Sequence, residues 1–396
     1  MNKIMNEIIV LIGGADISIH SVLNKKTLNR TLLARQLLLT RSSYTANEAI
    51  YHLAGLQAQA PHAPYIALWT RLQAFSHHEL TTLLTNRKTV RMALHRGTLH
   101  LVSYKDALAW RVLMKPVFDK AVRLFSKKLE GADLEVLMKE SRKLLEEKPC
   151  TLHELGLVFN ERWPHVSPDI MANLVRSLVP LVQVPPRGIW GFSGKASHTT
   201  LEYWLGDREI RAAGMNELIL RYFQAFGPAS IKDIQVWSGL TGLKKEVELM
   251  RPQLRSFRDE NGTELLDVQD GPIPEENTPA PVRFLSEFDN MLLSFQDRSR
   301  IMEDRFKKRI FTKNGIIRPT VLVDGFVKGI WKIEEQKKIT VLVIELFDKI
   351  SVKEQRALFE EGHKLLNFIH PEKDGKSITI NKEEFAKQQT SSDFQE

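Results

Sequence analysis

The chain has 396 residues and a mass of 45.5 kDa, enough for roughly two to four domains at about 150 residues each. Hydrophobic residues make up 43% and charged residues 26%. That excludes global disorder, and no apolar run reaches the ~18 residues a membrane helix needs. The net charge is +8 and the pI about 9.3. Across residues 71–123 ten Lys and Arg oppose three acids, a concentration that suits a polyanion partner such as nucleic acid.

Residues 1–26 match no later pattern and are set apart as an N-terminal extension. Their run Ile8-Ile9-Val10-Leu11-Ile12 is short, follows Glu7 and lacks a clean cleavage pattern, so no signal peptide is expected. The single cysteine, Cys150, forbids an internal disulfide and fits a reducing cytoplasm.

Three segments then share one rhythm, helical stretches followed by a strand pair. The first, 27–125, opens with an amphipathic run at 28–39. Thr45 and Glu48 spell a capping box ahead of Ala49, Ile50 and Leu53, and Gly55 is placed to close that helix. Pro61 and Pro64 introduce the next helix, and Ser76 with Glu79 predicts a second capping box. Strands at 89–94 and 99–102, joined by His95-Arg96-Gly97-Thr98, predict a hairpin.

The second segment, 126–210, repeats the order. A helix starts at Thr151 with Glu154 three residues on, another opens at Asp169, and strands at 181–184 and 188–192 turn at Pro185-Pro186-Arg187. The third, 211–271, has helices at 216–226, after Ser230 and at 244–254, then strands around Phe257 and at 265–268. Helix, helix, helix and β-wing is the winged-helix plan, although no sequence-level repeat is visible.

Pro272, Pro274, Pro279 and Pro281 form a linker. A β-rich C-terminal domain, 272–370, follows, with strands at 321–323 and 327–333 around Asp324-Gly325, a third at 339–347, and a helix at 352–369. Residues 371–396 read as a polar tail, disordered beyond Lys382. The expected fold is α+β: three tandem winged-helix domains (helix-turn-helix plus β-wing) and a β-rich C-terminal domain.

Little familiar chemistry is available. His77, His78, His95 and His100 lack carboxylates at ligand spacing, so no metal and no cofactor are expected. Gly13-Gly14 is not followed by a P-loop lysine, and no nucleophile elbow occurs. What remains is Gly55-Leu56-Gln57-Ala58-Gln59-Ala60-Pro61, two glutamines in an extended turn between helices. Their spacing places both amides on one side. Capping of the adjoining helix ends and a functional role both fit that pattern.

Leu33-Ala34-Arg35-Gln36-Leu37-Leu38, Leu56 to Pro61 and Arg96-Gly97-Thr98-Leu99-His100-Leu101-Val102 resemble the blocks of the winged-helix AlkZ/YcaQ-type DNA glycosylase superfamily. So do the run from Val182 to Gly191, Gly227-Pro228-Ala229-Ser230 with Trp237-Ser238-Gly239-Leu240, Leu285 to Asn290, and Asp297-Arg298. The resemblance runs from about Leu28 to Ile369. It implies a concave DNA-binding surface and a catalytic Gln-Φ-Gln signature, present here as Gln57-Ala58-Gln59. Phe295-Gln296 stands where the pattern leads one to expect His-Ala.

The resemblance assigns Gln57 and Gln59 to water positioning and transition-state stabilisation. An N7-alkylguanine or N3-alkyladenine already carries positive charge and departs without a proton donor. Neutral amides can then suffice to place water and orient dipoles. Arg87, Lys88, Arg91 and Arg187 are candidate phosphate contacts. Arg96 and His100 are candidates for phosphate or substrate contact, with hairpin packing as the other reading. Trp190 and Trp237 read as core, and Asp297 with Arg298 as a possible ion pair. The expected activity is hydrolysis of the N-glycosidic bond of cationic alkylated purines, including crosslinks, in double-stranded DNA. A cytoplasmic, nucleoid-associated monomer without membrane contact is expected. The competing reading is a non-enzymatic winged-helix transcriptional regulator, but 63–72, taken as the recognition helix, offers only Arg71 as a basic residue.

Overall fold

A computed structural model describes residues 21–127, 133–192, 194–208, 213–336 and 339–381. One topology occurs three times within it: helix, short strand, helix, helix, hairpin. In the first unit the elements are Ala46–His52, Leu56–Gln57, Ala63–Trp69, His77–Thr85 and the strands Thr89–Ala93 and Leu99–Ser103. In the second they are Leu134–Glu147, Cys150–Thr151, Leu152–Arg162, Pro168–Leu178 and the strands Leu181–Gln183 and Ser197–Thr200. In the third, Met215–Phe226, a single bridge from Ala229 to Leu266, Ile231–Ser238, Lys244–Leu249 and the strands Leu254–Asp259 and Glu264–Val268 repeat it. In every unit the short first strand pairs with the last.

The first two units do not keep separate sheets. Arg91 and Met92 pair with Gln183 and Val182, so both hairpins join one antiparallel sheet of six strands. The helices Tyr104–Leu113 and Lys115–Ser126 connect the two units.

Local sequence explains most boundaries. Thr45, Thr151, Ser230 and Ser351 each form a capping box with the acid three residues on. Ser76 does not. Glu79 instead accepts from the Ala46 backbone N–H at 2.6 Å, answering an orphan donor at the start of the neighbouring helix. The first helix runs Lys25–Arg35, starting before and ending before the 28–39 expected, and Leu37 at φ 59° stops it. Lys244–Leu249 stops short of 254 because Pro252 cannot continue an α-helix.

Two strand expectations are corrected. Residues 188–192 form turns, with Gly188 at φ 87° and Gly191 at φ 78°, and Ser197–Thr200 takes the place beside Leu181–Gln183. Gly188 and Trp190 are instead tied to Tyr65, whose hydroxyl donates to Gly188 O at 3.0 Å and accepts from Trp190 N at 3.2 Å. The 371–396 tail is also not uniformly outside the fold. Gly375–Asn381 pairs in parallel with Ile339–Leu346 at the edge of the C-terminal sheet. The disorder expected beyond Lys382 falls outside the described residues.

That sheet has the order Arg283–Leu285, Thr320–Val323, Phe326–Glu335, Ile339–Leu346 and Gly375–Asn381, and the helix Val352–Ile369 bridges its last two strands. Asp324 and Gly325 make the tight turn with φ 46° and 81°. The extension set apart at 1–26 joins the fold at its end, where Val22–Leu23 pairs in parallel with the third unit's strand. Arg35 then pins the first helix to that unit through Asp267 at 2.8 Å and Phe223 O at 2.9 Å. Asn29 reaches Gly325 O and Arg300 O in the C-terminal region, both at 2.8 Å. No helix among the described residues is long and apolar enough to cross a membrane.

Candidate active site

Gln57 and Gln59 meet different surroundings. Gln57 closes an edge strand opposite His100 and is 7% exposed. Its Oε1 accepts from the Arg96 guanidinium at 2.7 Å. Because arginine can only donate, this contact turns the amide nitrogen away from it. Gln59 is exposed, and its Oε1 accepts from Leu99 N over a longer 3.3 Å. Neither amide caps a helix. Between them Ala58 is buried and its N–H donates to Leu99 O at 2.8 Å.

Arg91 holds this loop from beneath. Its guanidinium is 1% exposed and donates to Ala58 O at 2.8 Å, Pro61 O at 3.3 Å and Gln183 Oε1 at 3.2 Å. Burial, and then the nearby Arg187, pushes its pKa down to about 10. A Cβ on Gly188 would lie 2.6 Å from Arg91 Cδ, so glycine there makes room for the clamp. The expected phosphate contact is therefore corrected: Arg91 is spent on backbone carbonyls inside the protein.

Arg96 sits at the hairpin tip with φ 57°. It also donates to Trp237 O, and no carboxylate pairs with it among the described residues. Burial, and then Arg298, pushes its pKa down to about 10. Gly239, at φ 81°, lets the third unit approach, since a Cβ there would come within 2.9 Å of Arg96 Cα. His100 is fully buried, with Nδ1 on Thr98 O at 2.9 Å. Burial, and then Arg96, holds its pKa at about 3, so it is neutral and closed to a phosphate in this conformation. For His100 the hairpin-packing reading is the one observed.

Gln59 opens onto a cleft of about 520 Å³ between the first and second units. Among the described residues Gln183, Arg176, Arg187 and Lys195 line it and no Asp or Glu does, while Lys195 pairs with Glu154 beside it at 3.6 Å. Arg187 donates to Gly194 O at 2.9 Å while its Nε is buried without a partner. Arg176 donates to Gly97 O at 3.2 Å. His198, on the same wall, is lowered to about 4 by burial and then by Arg176. Among the described residues no group of three or more His, Cys, Asp or Glu side chains could hold a metal ion.

The family described as DNA glycosylase AlkZ-like matches residues 50–368, a span that contains the loop, the hairpin and the cleft. The chain belongs to the AlkZ-like DNA glycosylase family. It is thus an enzyme whose substrate is DNA. A Streptomyces sahachiroi protein described as an interstrand DNA cross-link repair glycosylase is 24% identical over 336 residues, covering 78% of this chain and 87% of that protein. The solved structure of Streptomyces sahachiroi DNA glycosylase AlkZ has a TM-score of 0.74 at 19% identity, covering 91% of this chain and 100% of that one. That likeness shows the shared mixed α and β fold.

Within this AlkZ-like chain the remaining candidates separate. Gln57 and Arg96 are in contact, and Gln59 and Arg187 line one cleft. Arg87 and Lys88 lie at the other end of the hairpin strand, on the order of 15 Å away by strand rise. Arg87 there stacks on Trp204 at 4.2 Å and donates to its carbonyl at 2.8 Å. The basic stretch 71–123 is partly internal, since Arg71, Arg91 and Arg111 are buried. Arg71 forms a bidentate pair with Asp289 at 2.8 and 2.9 Å, so the helix Ala63–Trp69 has no free basic face.

Trp237 is buried core, as expected, and Trp190 stacks on His77 at 4.1 Å. Asp297 and Arg298 do not pair: Asp297 accepts from Ser299 N at 2.9 Å, and Arg298 donates to Leu292 O at 2.7 Å. Phe295 is buried against Phe226. Sequence reasoning missed Arg176, Gln183 and Lys195. They lie far from the motif along the chain and reach it through the shared sheet, and only Gln183, inside a matched block, carried any signal.

Proposed function

We propose that this AlkZ-like enzyme hydrolyses the N-glycosidic bond of cationic alkylated purines in double-stranded DNA, with N7-alkylguanine as the type substrate and crosslinked guanines within reach. The single observation that carries this reading is the exposed Gln59 amide at the mouth of a cationic cleft lined, among the described residues, by no carboxylate. A neutral base needs an acid to leave, and its sugar cation needs a nearby anion. A base that is already cationic needs water in place and a polar contact at the anomeric carbon. Gln59, held among the described residues by the 3.3 Å contact alone, is the amide free to position that water. Gln57, anchored by Arg96, is the fixed partner. The Streptomyces sahachiroi relative's role as an interstrand DNA cross-link repair glycosylase fits this substrate class.

Three further assignments belong to the same proposal. The three repeated units are winged helices at 27–125, 126–210 and 211–271, followed by the C-terminal domain at 272–370. The third helix of the first unit, His77–Thr85, carries no Lys or Arg and so lacks the side chains that most often read guanine in the major groove. Arg187, with Arg176 and Lys195, takes phosphates beside the lesion, and Arg87 and Lys88 take distal ones, in a complex with one copy of the enzyme.

The test is base release from a duplex with one N7-methylguanine, read as strand cleavage at the abasic site. Wild type should excise, and Gln59→Ala should not while still binding DNA. Efficient excision of uracil by the wild type would overturn the restriction to cationic bases.

A further inference from the structure

Both other units grip the tip of the first unit's hairpin, His95–Gly97. From the second, Arg176 donates to Gly97 O at 3.2 Å. From the third, the Trp237 ring lies 4.1 Å from the His95 ring, and the Trp237 carbonyl accepts from Arg96. Arg96 therefore bridges two distant parts of the chain. One nitrogen of its guanidinium holds the end of the helix Ile231–Ser238, and another holds Gln57 Oε1 at 2.7 Å. Two backbone features serve that bridge. Arg96 takes φ 57°, which residues other than glycine seldom adopt. Gly239 follows the helix at φ 81°, and a Cβ there would stand 2.9 Å from Arg96 Cα, so a larger residue would push the tip away. Gly242, at φ 75°, has open space around it and meets only the ordinary demand of left-handed backbone.

We propose that Arg96 is a positioning residue, through which the docked third unit fixes the way the Gln57 amide faces. A glutamine side chain turns freely about its single bonds, and among the described residues Arg96 is the side chain that hydrogen-bonds this one. A charged donor at 2.7 Å selects the orientation in which Oε1 is taken and the Nε2 hydrogens point elsewhere. Without Arg96 the amide can turn over, and it then presents carbonyl and amine to the substrate indifferently. Seating the third unit against the hairpin tip thus completes the glutamine loop of the first. Arg96 also differs in kind from Arg187: the two nitrogens that bond are committed inside the protein, so its loss should cost rate and spare affinity. This inference rests on the glycosylase reading above and adds a control of that site from outside the first unit.

The experiment has two arms on the full-length protein, with thermal unfolding to confirm that each variant folds. In the first, single-turnover excision of N7-methylguanine at saturating enzyme should fall about 30-fold in Arg96→Met and about 10-fold in Gly239→Ala, while the Kd for the duplex stays within about threefold. Gly242→Ala, which carries the same backbone penalty without the contact, should excise like the wild type. Arg96→Lys keeps a donor but loses the fork and should recover part of the rate. The second arm needs no turnover. In protein isotope-labelled at its glutamine nitrogens, the NMR signal of the Gln57 side-chain amide is assigned by its loss in Gln57→Ala. That signal should move in Arg96→Met and Gly239→Ala and stay in place in Gly242→Ala.

Wild-type excision by a folded Arg96→Met enzyme would overturn the positioning role and leave the glycosylase reading intact. So would a loss of DNA affinity with a shallower salt dependence, which marks a phosphate ligand. Equal losses in Gly239→Ala and Gly242→Ala would reduce the effect to backbone strain and overturn the role as well. A Gln57 signal that moves as expected in a protein that excises nothing would support the role and sink the substrate reading.

Discussion

Replacing Arg91 with methionine asks what holds the Gln57-Ala58-Gln59 loop in place. The guanidinium is 1% exposed and serves three acceptors, Ala58 O at 2.8 Å, Gln183 Oε1 at 3.2 Å and Pro61 O at 3.3 Å. A well-formed hydrogen bond from a charged donor contributes about 1.5–3 kcal/mol net, and the two longer ones fall at or below that range, so the set contributes about 3–5 kcal/mol. Burial of the cation opposes it: a pKa lowered from 12.5 to about 10 corresponds to roughly 3 kcal/mol. Methionine removes both effects, so stability should change by no more than about 2 kcal/mol.

The loop should not keep its position. With their donor gone, the Ala58 and Pro61 carbonyls turn toward water and carry the two amides with them. A displacement of about 1 Å at a reacting group costs on the order of 100-fold in rate. Single-turnover release of N7-methylguanine should therefore fall about 30- to 100-fold while DNA affinity stays within about threefold. Lysine at position 91 offers a point charge in place of a fork and should restore only part of the rate. Gly188→Ala should mimic the defect, because its Cβ would press on Arg91 Cδ from 2.6 Å. Wild-type excision by a folded Arg91→Met enzyme would refute the positioning argument.

Gln59→Ala should lose excision with stability unchanged within about 0.5 kcal/mol, because the side chain is exposed. Gln57→Ala should lose excision and also about 1–3 kcal/mol, since it removes the acceptor of one N–H of the half-buried Arg96; paired urea melts separate the two. Neutralising Arg187 and Lys195 together should weaken DNA binding and lower the log–log salt slope by about 1–2, measured by anisotropy titration between low and moderate salt. An unchanged slope would place the backbone elsewhere. Acid should destabilise the fold through His95, His100 and His198, which are buried and held below 6.5, His100 at about 3 and His198 at about 4. Unfolded, they titrate near 6.5, so their contribution is complete above that pH and is lost as pH falls toward the folded values. Each loses about 1.4 kcal/mol per pH unit, or about 4 together. His100→Gln should reduce that pH slope of stability, measured from urea melts between about pH 6 and 4.5, by about 1.4 kcal/mol per pH unit.

The sequence by itself determined the elements and the motif. Thr45 with Glu48 and Thr151 with Glu154 mark helix starts because a cap is satisfied by residues three apart, and Asp324-Gly325 marks a turn because few other residues tolerate its dihedrals. The Gln57-Ala58-Gln59 loop and its family likeness were legible for the same reason, as contiguous residues. Tertiary structure decided what those residues face. Whether Arg91 meets a phosphate or a carbonyl depends on Gln183 and Gly188, almost a hundred positions away, and on two hairpins fusing into one sheet. His100 looked available until the Leu99–Ser103 strand turned it inward beside Arg96. The strand Gly375–Asn381 exists only because Ile339–Leu346 offers an open edge, and Arg176 and Lys195 reach Gln59 only across that fused sheet. Local chemistry writes caps and turns into short stretches of chain. Burial and charge environment are set by neighbours that only the fold brings together.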